Sequence, residues 1–192
     1  MQSSEVIQKF KDTGALLEGH FLLTSGLHSP VYLQCALVLQ HPKDAEEFGR
    51  SIAQQFEHER IATVAAPAIG GLVIGYEVAR ALGARFIWTE RQDDRMVLRR
   101  GFSVSPGEKI LVVEDVVTTG GSTRETITTL QALGAKVVAA ASIIDRSAGK
   151  VDVGVPRIAL AALDVPAVAA ADCEACKRGE KAIKPGSRKK QE

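Results

Sequence analysis

The chain has 192 residues, 45% hydrophobic and 24% charged, with 24 Lys+Arg against 23 Asp+Glu. It is read as one domain, long enough to bury a full core, and so even a charge balance gives no general pull toward nucleic acid or a membrane surface. No run approaches the roughly 18 apolar residues of a membrane span, no basic-then-apolar leader opens the chain, and an odd count of 3 cysteines does not suit a disulfide framework, so a cytoplasmic protein is expected.

Ser3 or Ser4 is the expected cap of a first helix, whose apolar positions Val6, Ile7, Phe10 and Leu16 or Leu17 fall at helical spacings. Residues 20–23 and 31–36 read as short strands around a turn at 25–30, S-G-L-H-S-P. Pro42 suits the first turn of the next helix, with Ala45, Phe48, Ile52, Ala53 and Phe56 as its apolar stripe. From Ile61 the rhythm changes. A strand at 61–66 runs into the tight loop P-A-I-G-G at 67–71, and a helix at 72–82 closes on Gly83. A strand at 85–89 is followed by a polar segment at 90–100. Further strands are expected at 109–113, 137–144 and 157–163, with a helix from about Ser122 to Leu133 between the first two. Near-continuous apolar strands alternating with helices predict an α/β fold, a mostly parallel central sheet flanked by helices on both faces. Function in such sheets gathers at the carboxyl ends of the strands, here the loops at 67–71, 114–122 and 145–149.

The most informative stretch is 109–123, K-I-L-V-V-E-D-V-V-T-T-G-G-S-T. Four apolar residues end in Glu114 and Asp115, and a Thr/Gly loop then leads into a helix. Unpaired N–H groups at a helix N-terminus carry partial positive charge, and Thr118, Thr119, Gly120, Gly121 and Ser122 would aim several of them at one phosphate. No lysine follows the glycines, so this is not the loop of nucleotide triphosphatases, and it is not G-x-G-x-x-G either. Two carboxylates would repel a phosphate. They suit ribose hydroxyls, or a sugar centre that turns cationic, so the stretch reads as a sugar-phosphate site.

V-V-E-D-V-V-T-T-G-G-S-T resembles the phosphoribosyl pyrophosphate motif of the type I phosphoribosyltransferases. With G-H-F-L-L-T-S-G-L-H-S-P-V-Y-L near the start and I-D-R after the following strand, the pattern over about residues 15–165 resembles the orotate phosphoribosyltransferases. The resemblance implies a type I phosphoribosyltransferase fold with an N-terminal helix and hairpin hood. The divisions are then about 1–58 for the hood and first helices, 59–165 for the core sheet and 166–192 for an irregular basic tail. It implies that pyrophosphate is displaced from C1 of ribose by a nitrogen of orotate, with Mg2+ held mainly through the substrate, in a homodimer. Glu114 and Asp115 would hold the ribose hydroxyls, Asp115 as a catalytic residue. Val116, Val117, Thr118, Thr119, Gly120, Gly121 and Ser122 would cradle the 5′-phosphate. Thr118 and Arg146 would meet orotate, and the 67–71 loop would offer N–H groups to pyrophosphate.

The chain departs from the family pattern in two places. Thr24 stands where many relatives have a lysine that contacts substrate, and residues 90–100 hold neither Lys nor His. That segment has Arg91, Arg95, Arg99 and Arg100 instead, so Arg91 becomes the candidate catalytic clamp on the leaving pyrophosphate, reaching over the neighbouring subunit's site. Another base as acceptor, or a non-catalytic sensor of phosphoribosyl pyrophosphate, stay open as alternatives.

Cys173 and Cys176 form C-E-A-C, but a structural zinc site needs four protein ligands. The pair is read as metal-free, with any pairing made across subunits. Cys35 is read as a buried strand residue. His20, His28, His41 and His58 are read as ordinary surface, and the seven Lys/Arg between 177 and 190 as a solvated tail.

Overall fold

The computed structural model describes residues 1–23 and 25–185; Thr24 and the basic run at 186–192, both singled out in the sequence, lie outside the described residues. Six strands form the central sheet: β3 (Thr63–Pro67), β4 (Arg85–Gln92), β5 (Arg95–Leu98), β6 (Lys109–Val117), β7 (Lys136–Asp145) and β8 (Arg157–Ala162), in the order β5-β4-β3-β6-β7-β8. All neighbours are parallel except β4 and β5. The chain moves outward from β3 through β4 to β5, then returns to the other side of β3 as β6. The boundary between β3 and β6 is therefore the point where the winding reverses, and ligands of open α/β sheets bind beside that point at the strands' carboxyl ends.

β6 shows why the sheet is covered on both faces. Leu111 and Val113 pack into one core with α3 (Pro42–Ala53) and α4 (Gly71–Leu82), whereas Ile110 and Val112 pack into the other with Ile127 and Leu130 of α5 (Gly121–Ala132). Alternate residues serve opposite faces, and both faces are apolar. Helix α4 ends where Gly83 adopts φ 64°, a left-handed cap that glycine accepts without strain.

The first third differs from expectation in detail. Helix α1 (Ser3–Asp12) is capped by Gln2, whose N–H donates to the Glu5 carboxylate at 2.7 Å, so neither serine is the cap. Leu16 and Leu17 belong to β1 (Leu16–Leu22), which pairs antiparallel with β2 (His28–Leu33) as a separate hairpin. Cys35 is buried as expected, but it begins the short helix α2 (Cys35–Leu39) and is not in a strand. The polar segment after residue 89 is no open loop. It prolongs β4 and returns as the edge strand β5 through a turn at Asp93 and Asp94, with φ 47° and 59°.

Of the segment expected to be irregular, residues 166–185 carry a four-residue helix, α6 (Glu174–Lys177), and lie against the hairpin through bridges from His28 to Val168 and from Phe21 to Ile183.

Helix α4 holds the loop at 67–71, and α3 holds α4. Their contact depends on Gly49, where a Cβ would lie 2.6 Å from Glu77 Cβ and 2.8 Å from its carbonyl carbon. Gly49→Ala gains about 1 kcal/mol of helix propensity against about 1–3 kcal/mol of overpacking. The expected result is a melting temperature a few degrees lower; an unchanged or higher one would show that the helices part without cost.

Candidate active site

Glu114 and Asp115, expected to open the loop, lie inside β6, four and three residues before the loop starts at Thr118, because β6 runs on through Val116 and Val117. The phosphate loop is thus shorter than the motif suggests: Thr118 and Thr119 are exposed, and Gly120 closes it with φ 71°. A Cβ on Gly120 would come within 2.5 Å of Val151 Cγ1, so this position needs glycine for both its angle and its space. Helix α5 starts at Gly121 with no side-chain cap, and the Gly120 carbonyl accepts from the Arg124 N–H at 2.9 Å. The N–H groups of the first turn are left for an anion.

Across the crevice, the 67–71 loop ends β3 and starts α4, with a cis peptide between Ala68 and Ile69. Its glycines touch the acids. A Cβ at Gly70 would sit 2.9 Å from Asp115 Oδ1, and one at Gly71 would sit 3.3 Å from Glu114 Oε1 and 2.9 Å from the Val113 carbonyl. Both carboxylates therefore lie against the N-terminus of α4, a relation that P-A-I-G-G did not disclose when read as a turn.

No Lys or Arg forms an ion pair with Glu114 or Asp115 among the described residues. Burial pushes the Glu114 carboxyl well above its usual range, and the charge of Asp115 adds to the effect. Burial also raises Asp115, and the bond it accepts from the Val116 N–H at 2.7 Å offsets this only in part. The Cys35 thiol, beside Asp115, is pushed well up by its own burial and then by that charge. Two adjacent acids are thus buried side by side, with no cation to offset them among the described residues.

Arg146 has the opposite problem. It follows β7, where its N–H donates to the Val117 carbonyl at 2.8 Å, so it stands beside the cradle. Its guanidinium is half-buried and donates to Ser29 Oγ of the hairpin at 3.3 Å, its Nε is buried with no partner, and no carboxylate pairs with it among the described residues. Burial alone lowers its pKa. The neighbouring Asp145 is unavailable because it accepts from Ser147 N and Oγ and from Gly149 N, and pairs with Arg157 at 2.9 Å. Burial works against the charge of Asp145, yet those bonds outweigh it and hold the carboxyl below its usual range.

Acids, cradle, Arg146 and Ser29 meet at one end of the sheet. Arg91 has other partners: it donates to the Asp94 carbonyl at 2.8 Å and pairs with Glu125 of α5 at 3.1 Å. Beside it, Glu90 binds Arg100 at 2.7 Å and the Trp88 indole N–H at 2.9 Å, and its carboxyl falls to about 2.

An acid pair and a Thr/Gly loop lie at the reversal point of the mostly parallel sheet, and the family model described as "Phosphoribosyl transferase domain" matches residues 36–158, so the chain is a phosphoribosyltransferase. The orotate phosphoribosyltransferase of Pelotomaculum thermopropionicum is 51% identical over 189 residues, covering 98% of this chain and all of that one. That of Thermotoga maritima is 51% identical over 184 residues, 96% of this chain and 97% of the other. Among solved structures, orotate phosphoribosyltransferase from Aeropyrum pernix superposes with a TM-score of 0.67 at 26% identity, covering 82% of this chain and 93% of that one. The Mycobacterium tuberculosis enzyme in complex with 5-phospho-α-D-ribosyl 1-diphosphate shares the fold, with a TM-score of 0.67 at 21% identity over 84% and 96% of the two chains. Within the phosphoribosyltransferases, this chain belongs to the orotate phosphoribosyltransferases.

The acid pair has a consequence for stability. A carboxyl whose folded pKa is raised stabilises the fold fully below its unfolded pKa, and that contribution is lost as pH rises through the folded value. Glu114→Gln removes this loss. In magnesium-free buffer the variant is expected to melt a few degrees above the parent at about pH 8, with the gap closing toward about pH 4. A variant that melts lower at the alkaline end would contradict the burial of an uncompensated charge.

Proposed function

We propose that the chain transfers the phosphoribosyl group of 5-phosphoribosyl 1-pyrophosphate to orotate, giving orotidine 5′-monophosphate and pyrophosphate in pyrimidine biosynthesis. The observation that carries this reading is Arg146: a half-buried cation beside the cradle, its Nε unpartnered and no carboxylate paired with it among the described residues. Orotate is a planar anion, and the rigid guanidinium fork matches its carboxylate or its paired acceptors.

The first turn of α5 and the loop from Thr118 to Ser122 take the 5′-phosphate, with Val116 and Val117 supplying the strand that aims them. The 67–71 loop faces the pyrophosphate. Thr118, exposed at the loop's start, meets orotate together with Arg146. The C1–oxygen bond to pyrophosphate breaks as the bond from C1 to a ring nitrogen of orotate forms. Positive charge grows on the sugar between these events, and Asp115 and Glu114, holding the ribose hydroxyls, stabilise it from close range.

Two buried carboxylates without a cation are a donor set suited to Mg2+, a hard ion that prefers oxygen and keeps much of its shell from water and substrate. When bound with the substrate, the ion neutralises pyrophosphate charge. A cytoplasmic location goes with this reading, since both substrates are small polar anions that do not cross membranes unaided.

A homodimer is part of the proposal. Val73 and Tyr76 of α4 are 45% and 58% exposed, next to Phe86 and Trp88 of β4, and so apolar a face calls for a cover. In the dimer the β4–β5 hairpin reaches the neighbouring site, where Arg91 and Arg95 clamp the leaving pyrophosphate.

Two measurements check the assignments. In an assay of absorbance loss that depends on phosphoribosyl pyrophosphate and Mg2+, Asp115→Asn should lose about 10²–10³-fold in kcat, the scale of one preorganised electrostatic group. Arg146→Ala should raise KM for orotate about tenfold or more, the cost of one charge-assisted bond, with little change for phosphoribosyl pyrophosphate. Parent activity in both variants would overturn the site. For the clamp, Arg91→Ala and Arg95→Ala are each expected to slow turnover. Mixing inactive Arg91→Ala and Asp115→Asn chains should restore about a quarter of the sites if the hairpin acts across a two-fold dimer. No recovery on mixing would place Arg91 at its own subunit's site or at none.

A further inference from the structure

His20, His28, Cys173 and Cys176 converge where the hairpin meets the C-terminal segment, and one ligand atom from each lies within 4.8 Å of all the others. Two corrections follow. His20 and His28 are buried, 7% and 9% exposed, and are not ordinary surface; and the two cysteines find their partners within one chain, not across subunits. We propose that these four side chains form a structural Zn2+ site that fastens residues 166–183 to the β1–β2 hairpin.

The geometry carries the proposal. Cys173 Sγ lies 3.4 Å from His20 Nε2, and Cys176 Sγ lies 3.6 Å from His20 Nε2 and 3.2 Å from His28 Nδ1. A tetrahedral zinc with the usual bond lengths separates a sulfur and a nitrogen ligand by about 3.6 Å and two nitrogens by about 3.3 Å. The ring nitrogens are closer, 2.7 Å apart as a hydrogen-bonded pair, so metal binding opens this edge most and the 3.2 Å edge from Cys176 to His28 less.

The tautomer of His20 is already chosen. His20 Nδ1 lies 3.0 Å from the Glu180 carbonyl, which can only accept, so the proton belongs on Nδ1 and the lone pair of Nε2 faces the cluster. A metal-bound histidine is held by this same kind of outer bond. Zinc binding releases two thiol protons, one each from Cys173 and Cys176, and moves the His28 proton to its other nitrogen. Two thiolates and two imidazoles in a tetrahedron select zinc over Mg2+, which prefers oxygen.

Local structure serves the cluster. The β1–β2 register slips between Glu18 and Phe21, and at the slip the successive residues His20 and Phe21 are both buried. A bulge that turns one side chain inward has this effect. C-x-x-C spacing places Cys176 on α6, just past Cys173. Among the described residues from 162 to 185, Cys173 is the only buried one, so this segment brings almost no apolar burial of its own to offset its ordering. The hairpin that it covers carries Ser29, so in the proposed orotate reading the metal steadies one wall of the site; the site itself stands without that reading.

The test measures metal and needs no catalysis. The full chain, purified without chelator, is analysed by elemental mass spectrometry, and stripped protein is titrated with Co2+. About one zinc per chain is expected, with tetrahedral d–d bands and thiolate-to-cobalt charge transfer. Cys173→Ser with Cys176→Ser should cut bound zinc about tenfold and abolish those bands, whereas Cys35→Ala should keep both. If the double variant fails to fold, alkylating the zinc-free parent at these thiols before the Co2+ titration gives the same comparison. Parent protein that neither carries zinc nor takes up Co2+ tetrahedrally would overturn the proposal, as would a Cys173–Cys176 disulfide in the parent or zinc retained in the double variant.

Discussion

Like charge buried without compensation is the constraint around which this molecule is arranged. β6 is covered on both faces, yet it carries Glu114 and Asp115 with no cation in reach among the described residues. Such a pair costs stability, through desolvation and mutual repulsion together. The surrounding structure reduces the cost by bringing up the N-terminus of α4, where unpaired N–H groups present partial positive charge. That approach is possible only because Gly70 precedes α4 and Gly71 opens it; a Cβ at either would press on the carboxylates. The glycines that looked like turn residues are therefore spacing residues, required by the acids on the neighbouring strand.

Arg146 meets the same constraint with the sign reversed. An adjacent carboxylate would normally neutralise it, and Asp145 is only one residue away. Asp145 is instead engaged by Ser147, Gly149 and Arg157, while the backbone bond from Arg146 to Val117 fixes where the guanidinium begins. The molecule thus keeps negative charge on one wall of the crevice and positive charge on another without letting them collapse together. Preorganisation of this kind costs folding energy and lowers the reorganisation needed when charge develops during a reaction.

The central sheet was legible because its signals are local. Apolar runs marked β3, β6 and β7, Gly83 marked the end of α4, and Gly120 with Gly121 marked the turn into α5. Three features were not, for different physical reasons. Val116 and Val117 prolong β6 past two charges, since pairing with β7 outweighs the poor strand tendency of acids. Residues 90–98 form a hairpin although they are polar, because an edge strand needs only one paired side and benefits from exposed charge. Leu16 and Leu17 fit helical spacing by coincidence, and Gly14, with φ 67°, ends that helix first. Of the site, the acids, the cradle and Arg146 were visible in the sequence. Their relation to Gly70, Cys35 and Ser29 was not, because those contacts join segments far apart in the chain.

The four-residue His and Cys cluster is the extreme case of that last limit, with its halves separated by 148–156 residues in the contacts that join them. Its position follows from a weakness in the architecture. An isolated two-stranded hairpin is marginal in water, and β1–β2 forms its own sheet apart from the core strands. Backbone bonds from His28 to Val168 and from Ile183 to His20 extend it on either side, but a segment with one buried residue has little reason to stay. Something beyond apolar burial must hold it, and the residues that meet there are the ones able to bind a metal. The same hairpin supplies Ser29 to Arg146, so the order of the hood and the placement of the unpaired cation depend on one junction.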